Sequence, residues 1–159
     1  GTYPLPEAQL DRFLMQIDVI YPDRDAERRI LLETTGLAET APQAVLTRDE
    51  LMALQTLVRR LPVGESVVEA ILDLVRSARP EDNDDLAGQI AGGPGPRASQ
   101  AMMLAIRARA LLDGRLAPSR EDVIALAEPV LQHRMALTYS ARADGKTIKG
   151  VIAELAGKL

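Results

Sequence analysis

The chain has 159 residues, of which 47% are hydrophobic but only 3% are aromatic, and it has neither tryptophan nor cysteine. This composition suits one domain, or one domain with part of a second, with a core of aliphatic side chains from packed helices. The net charge of −4 argues against nucleic acid as a partner. The absence of cysteine excludes disulfides, thiolate metal sites and a cysteine nucleophile.

Membrane and targeting signals are also missing from the sequence. No apolar run approaches the roughly 18 residues that a membrane-spanning helix needs, and no signal peptide opens the chain. We therefore predict a cytoplasmic protein without a membrane partner.

The first predicted element is a strand over residues 14–20. Gln16 and Asp18 alternate with apolar residues there, and Tyr21-Pro22 bounds the run. The rest of the sequence shows no second convincing strand, and a single strand cannot satisfy its own backbone hydrogen bonds. We therefore expect its partner strands to lie outside this sequence, and a start at Gly1 rather than methionine points the same way.

Everything after this segment shows helical periodicity. Apolar residues recur at spacings of three and four, Gly36 and Gly114 are stop signals, and Thr47 with Glu50 forms a capping-box pattern. The apolar segment 98–112 is predicted to be a central, mostly buried helix. Pro129 is predicted to kink or end its helix before Val130. The six predicted helices cover 25–34, 47–61, 66–78, 98–112, a segment that starts at Ser119, and a segment that Thr147 caps.

Two arginine motifs carry a family resemblance. Asp11-Arg12-Phe13 follows Tyr-Pro-Leu-Pro-Glu-Ala-Gln-Leu, and Gly95-Pro96-Arg97-Ala98 lies where a loop enters the central helix. The opening of the chain closely resembles the MoxR family of AAA+ ATPases, and this resemblance continues with gaps over almost the whole sequence.

The resemblance implies that Arg12 is an arginine finger, which reaches in trans to the γ-phosphate bound by a neighbouring subunit. A permanently charged, planar guanidinium suits the negative charge that spreads over phosphoryl oxygens in the transition state. The alternative is a surface arginine that pairs with Asp11 or Glu7.

For Arg97 the resemblance implies the sensor 2 role, in which the arginine contacts the nucleotide of its own subunit in cis. Pro96 suits the first helical position, and the free amides of a helix start favour an anion. The family often has serine where this chain has Gly95, which weakens the expected cap. The alternative is a structural arginine that binds nearby carbonyl groups.

At the level of fold, the resemblance implies an all-α protein: a helical-bundle AAA+ lid over 22–159, preceded in 1–21 by the arginine-finger turn and a short strand left over from the α/β core. It further implies a ring, expected to be a hexamer, that binds ATP and Mg²⁺ at subunit interfaces and has a chaperone-like role in maturation or cofactor insertion. A von Willebrand A domain protein is the implied partner.

This chain alone is not expected to be an enzyme, because it has no Walker A or Walker B motif. An alternative function is a non-catalytic helical interaction module. A third, the lid of a nucleic-acid remodeller, is disfavoured by the acidic charge balance.

Three other segments give no site. Gly145-Lys146-Thr147 lacks the earlier glycine of a phosphate loop, because Ser140 stands there. The acidic run 81–85 lacks the ligand spacing of a calcium loop. His133 has no metal-ligand spacing around it and is assigned a structural role, so no metal site is predicted.

Overall fold

The computed structural model describes residues 3, 5–36, 41–86 and 88–159, so Gly1, Thr2 and Pro4 of the opening motif lie outside the described residues. These ranges are mainly helical, as predicted. The helices are α1 (Glu7–Leu10), α2 (Arg24–Thr34), α3 (Arg48–Arg60), α4 (Glu65–Ser77), α5 (Pro96–Leu112), α6 (Arg120–Leu131), α7 (Tyr139–Ala143) and α8 (Ile148–Ala156). Short 3₁₀ turns cover Asp84–Leu86 and Gln132–Arg134, and two strands, β1 (Ile90–Gly92) and β2 (Ala136–Leu137), complete the architecture.

The hydrophobic core lies between α4, α5, α6 and α8, and α5 packs between α4 and α6. Burying one large aliphatic side chain contributes about 1.5–3 kcal/mol, so this layer holds the bundle together. The central position predicted for α5 is confirmed. The largest fully buried aliphatic side chains are Leu74, Met102, Ile106, Leu131 and Ile152.

Local capping signals locate the helix ends. The Thr47 amide donates to Glu50 Oε2 at 2.7 Å and the Glu50 amide to Thr47 Oγ1 at 3.2 Å, which is the predicted capping box. At the start of α6 the Ser119 amide donates to Asp122 Oδ2 at 2.8 Å. Side chains near the helix start thereby satisfy amides that have no partner within the helix.

Pro129 does not end its helix, so of the two predicted outcomes, a kink or an end before Val130, the end is excluded. Helix α6 continues through Pro129 to Leu131 and passes directly into the 3₁₀ turn Gln132–Arg134. Val130 and Leu131 are fully buried, so their packing offsets the hydrogen bond that proline removes.

The strand predicted over 14–20 is not present. Residues 15–23 form no regular structure, and Ile17, Val19 and Ile20 are largely exposed. The backbone of this segment binds α6 instead of another strand, because the Gln16 amide donates to the Pro129 carbonyl at 2.8 Å. Alternating polarity favours a strand only where a neighbouring strand can pair with it.

The observed sheet lies elsewhere and was missed by the sequence analysis. Strands β1 and β2 are antiparallel, and Ile90 pairs with Leu137. They have only three and two residues, too few to show a period of two. The pairing matters for the site because β1 leads into α5 while β2 follows the turn that carries Arg134.

Helices α2 and α3 contribute no buried residue. Their large apolar residues are mostly exposed by 40% or more, with Val58 partly buried; the exposed ones include Ile30, Leu31, Leu51, Leu54 and Leu57. The predicted helices are therefore confirmed, while the apolar faces remain uncovered. None of the helices in the described ranges is long and apolar enough to cross a membrane.

Candidate functional site

A glycine-rich loop positions the start of α5. An added Cβ at Gly93 would lie 2.9 Å from both the Ala78 carbonyl oxygen and the Arg79 Cα, so only glycine allows this close backbone approach. Arg79 Nε also donates to the Pro94 carbonyl at 2.9 Å. The loop between β1 and α5 is thereby fixed against the end of α4.

Arg97 extends from the first turn of α5. Gly95 is the N-cap and Pro96 the first helical residue, as predicted from the sequence. The Arg97 side chain is 53% exposed, and its Nη1 lies 3.2 Å from Asp11 Oδ2. Its described partner is therefore a carboxylate rather than the backbone carbonyl of the alternative interpretation.

Arg12 lies in the turn that follows α1. Its amide donates to the Gln9 carbonyl at 3.1 Å, and the next amide, of Phe13, donates to the Leu10 carbonyl at the same distance. The Arg12 side chain is exposed. Within the described residues it forms no ion pair with Asp11 or Glu7, the partners that the alternative interpretation required.

The carboxylate of Asp11 connects the two motifs. Its Oδ2 binds Arg97, and its Oδ1 accepts a hydrogen bond from Arg134 Nε at 3.1 Å. The Arg134 side chain is only 2% exposed, whereas that of Asp11 is 28% exposed. One oxygen of Asp11 therefore compensates the buried charge of Arg134, and the other binds the exposed Arg97.

The segment after Arg12 is also held on α6 and its following turn. Gln132 Nε2 donates to the Gln16 carbonyl at 3.1 Å. Further along, Lys149 Nζ lies 2.6 Å from Asp18 Oδ2 and 2.7 Å from Glu128 Oε1. The turn that carries Arg12 and the segment up to Asp18 are thus bound to the helical bundle by polar contacts.

A cavity of about 240 Å³ opens between the Arg12 turn and the glycine-rich loop. Asp11 and Arg134 line it from opposite parts of the sequence. Its other lining residues are Glu7, Gly92, Gly93, Gly95, Met135 and Ala136.

His133 contacts the same turn. Its Nε2 lies 3.3 Å from the Phe13 carbonyl oxygen. Burial, together with the positive charge of Arg134, lowers the pKa of His133 below its ordinary value of 6.5, while the Phe13 carbonyl opposes this shift. The contact agrees with the structural role assigned from the sequence.

The structure adds two residues that sequence reasoning did not assign to the site, Asp11 and Arg134. The sequence gives little indication of either residue. Asp11 is adjacent to Arg12 and was expected only as its possible partner, and no local pattern indicates that the Arg134 side chain is buried. The structure brings the two arginine motifs together, because Arg97 binds Asp11, the residue before Arg12. Their finger and sensor roles remain predictions.

The two other segments in which no site was predicted have local structural roles. Gly145-Lys146-Thr147 forms the turn between α7 and α8, and Thr147 caps α8. In the acidic run, Asp82 pairs with Arg76 and Arg79. No group of three or more histidine, cysteine or acidic side chains could hold a metal ion within the described part of the chain.

Comparison with known proteins identifies the fold. The family profile of AAA lid domains matches residues 85–155. A crystal structure from Cytophaga hutchinsonii, described as that of a candidate ATPase, superposes with a TM-score of 0.91 at 27% identity, over 100% of this chain and 49% of that one.

Curated proteins named MoxR and YeaC are similar to this chain over most of its length. The chain is 38% identical over 149 residues to the chaperone MoxR1 of Mycobacterium tuberculosis, covering 91% of this chain and 39% of that protein. It is 34% identical over 157 residues to the protein YeaC of Bacillus subtilis, covering 98% and 47%. It is 32% identical over 151 residues to the protein MoxR of Paracoccus denitrificans, covering 86% and 44%. The chain thus spans less than half the length of these relatives.

Proposed function

This chain belongs to the MoxR family of AAA+ proteins, and we propose that it forms the lid region of a MoxR-type ATPase. Residues 22–159 are the helical lid in this proposal, and residues 1–21 are the end of the ATPase core. The complete protein binds and hydrolyses ATP at the interfaces of a ring, proposed as a hexamer. Hydrolysis drives a chaperone-like maturation or cofactor insertion, with a von Willebrand A domain protein as a partner.

One observation carries this proposal: the two motifs that contain the arginines with predicted phosphate contacts meet in the folded chain, because Arg97 binds the residue before Arg12. Arg97 binds Asp11 although 86 residues separate them, and Asp11 directly precedes Arg12. Two motifs far apart in sequence are thus joined, and the side chains of Arg12 and Arg97 are both exposed. In the proposed ring, each nucleotide would receive Arg97 from its own subunit and Arg12 from the neighbouring subunit.

Arg12 acts in trans in this proposal. Its side chain is exposed, and the described residues of its own chain leave the guanidinium without an acidic partner. It is therefore available to a phosphate bound by the neighbouring subunit, where it stabilises the charge of the transition state.

Arg97 acts in cis. It lies in the first turn of α5, where free backbone amides and the helix dipole favour an anion. A nucleotide phosphate would compete with Asp11 for this guanidinium, so nucleotide binding exchanges one anionic partner of Arg97 for another.

The residues present fit the phosphate part of ATP but not its magnesium ion. Arg97 would hold the phosphate, whereas the described residues include no group of three or more histidine, cysteine or acidic side chains that could hold a metal ion. When bound in the complete ATPase, Mg²⁺ would supply positive charge that stabilises the negative charge developing on the phosphate. We propose that its ligands and the phosphate-binding loop belong to the rest of that protein.

The experiment that tests the proposal uses the complete ATPase with either arginine replaced. Arg12→Ala should lower kcat for ATP hydrolysis by about 10³- to 10⁵-fold and spare ATP binding, because it removes only transition-state stabilisation in the neighbouring site. Arg97→Ala should instead weaken ATP binding by the same subunit. Arg142→Ala, which removes an exposed arginine of α7, is the matched control and should change neither property.

Mixed rings separate action in trans from action in cis. Arg12→Ala subunits are mixed with subunits disabled at the phosphate loop, so that some interfaces combine an intact finger with an intact loop. Partial hydrolysis should return in these rings. Mixed rings that form but remain as inactive as each parent would refute the trans role of Arg12.

The alternative, a non-catalytic helical interaction module, has one observation in its favour. The apolar residues of α2 and α3 are exposed, and such surfaces often bind other proteins. Association of the complete protein that depends on ATP supports the ATPase proposal. Association that is indifferent to ATP, together with no hydrolysis, supports the interaction module.

A further inference from the structure

The guanidinium group of Arg134 binds the backbone on both sides of Arg12. Its Nη2 donates to the Asp11 carbonyl at 3.0 Å and also to the Phe13 carbonyl, and its Nη1 donates to the Leu14 carbonyl at 3.3 Å. Its Nε binds the Asp11 carboxylate. Arg134 thereby binds the backbone carbonyls of the residues directly before and after Arg12.

This arrangement requires arginine rather than another cation. The planar guanidinium has five donors in a fixed fork, while a lysine ammonium has three donors around a single point. Arg134 uses all three of its nitrogens toward the turn, and Nη1 also donates to the Val130 carbonyl at 2.5 Å. Lysine could keep the charge near Asp11 but could not bind the flanking carbonyls at the same time.

The backbone that carries Arg134 is held by the hydrophobic core. Arg134 ends the 3₁₀ turn Gln132–Arg134, and the residues on either side of this turn, Leu131 and Met135, are buried in the core. Its side chain is 2% exposed, so solvent does not compete for its donors. The position of the Arg12 turn is therefore set by the helical bundle rather than by the turn itself.

We propose that Arg134 is the positioning residue of Arg12: it holds the finger turn on the lid and so directs the exposed Arg12 side chain toward the neighbouring subunit. This inference rests on the finger role proposed above for Arg12. Arg134 itself touches neither the nucleotide nor the reacting atoms, and it acts only through the backbone of residues 11–14.

The first test measures amide hydrogen exchange in this chain. Arg134→Lys should raise the exchange rates of the Arg12 and Phe13 amides at least tenfold and leave those of α5 unchanged. Lys149→Ala is the matched control: it removes the contact with Asp18 further along the same segment, and exchange at Arg12 and Phe13 should not change. Unchanged exchange at Arg12 and Phe13 in a folded Arg134→Lys chain would overturn the inference.

The second test measures ATP hydrolysis by the complete ATPase. Arg134→Lys should lower kcat by at least tenfold with KM unchanged, and Arg134→Met should lower it further. If the methionine variant does not fold, the lysine variant carries the test alone. In an Arg12→Ala background, Arg134→Lys should have no further effect on the residual kcat, because the group through which it acts is gone.

The outcomes separate this inference from the proposed function. Full activity of Arg12→Ala refutes the finger role, whatever Arg134 does in the exchange experiment. Inactive Arg12→Ala with an unchanged kcat in Arg134→Lys refutes only the positioning role. If Arg134→Lys lowers kcat by the same factor in the unchanged ATPase and in the Arg12→Ala background, the positioning role is also refuted. Arg134 would then affect hydrolysis independently of Arg12.

Discussion

The guanidinium of Arg115 binds both carboxylate oxygens of Asp122, with Nη1 2.7 Å from Oδ2 and Nη2 2.6 Å from Oδ1. Asp122 is only 2% exposed and also accepts from Arg109 Nε at 3.1 Å and from the Ser119 amide. One carboxylate therefore joins the end of α5, the following turn and the start of α6. Its environment is fully hydrogen-bonded, which is the condition for a buried charge to be tolerated.

Removing this charge should destabilise the bundle. Asp122→Asn should lower the free energy of unfolding by on the order of 2–3 kcal/mol, because it weakens charge-assisted hydrogen bonds from two arginines. Urea unfolding followed by circular dichroism measures the change. Asp113→Asn is the control, since Asp113 is 51% exposed and pairs with Arg115 alone, and its effect should stay below about 1 kcal/mol. Equal effects of the two substitutions would contradict the buried network.

The same network predicts a window of acid sensitivity. The hydrogen bonds from Arg115 lower the pKa of Asp122 from 3.8 to about 2, against the opposing effect of burial. Because the folded-state pKa is depressed, the stabilisation is complete above pH 3.8 and is lost as the pH falls toward 2. Unfolding free energies measured from pH 5 to 2 should fall less steeply for Asp122→Asn than for the unchanged chain. Parallel slopes would show that other carboxylates dominate the acid response.

A methyl group at Gly93 should disturb the loop that positions Arg97. Gly93→Ala places a Cβ 2.9 Å from backbone atoms of Ala78 and Arg79, so the loop must move to relieve the contact. We expect the free energy of unfolding to fall by on the order of 1–3 kcal/mol. Gly92→Ala is the matched control, because an added Cβ there meets no atom within 4 Å. Thermal unfolding of both variants tests this prediction. A Gly93→Ala chain as stable as Gly92→Ala would contradict the close approach.

His133 should titrate below its ordinary range. Because it is the only histidine of the chain, its ring protons give isolated signals in a proton NMR titration. The folded chain should show a midpoint below 6.5, and the chain in denaturant should return to the ordinary value. A lowered pKa means that stability falls as the pH drops from 6.5 toward the folded-state value. A midpoint at or above 6.5 in the folded chain would contradict the burial of this ring.

Helix positions could be predicted from the sequence because their causes are local. The capping box of Thr47 with Glu50 joins residues only three apart, and it appears in the structure as predicted. Apolar spacing likewise identified α4 and α5, whose faces form the core. Interactions within one helical turn need no knowledge of the rest of the fold.

The errors arose where a partner distant in sequence decides the outcome. Residues 14–20 show strand-like alternation, but the Gln16 amide binds the Pro129 carbonyl and no strand forms. Pro129 itself remains inside α6 because Val130 and Leu131 are buried. In both places tertiary contacts outweigh the local preference.

The sequence by itself determined the helical class and six of the eight described helices, all but the short α1 and α7, and its resemblance to a family indicated Arg12 and Arg97 as candidate phosphate contacts. Only the tertiary structure decided that Arg97 binds Asp11, the residue before Arg12, and that Arg134, 123 residues away from Asp11, binds the turn that carries Arg12. The physical reason is that capping and amphipathic periodicity act over three or four residues, whereas a shared carboxylate depends on how the folded chain brings distant side chains within 3.2 Å of one another.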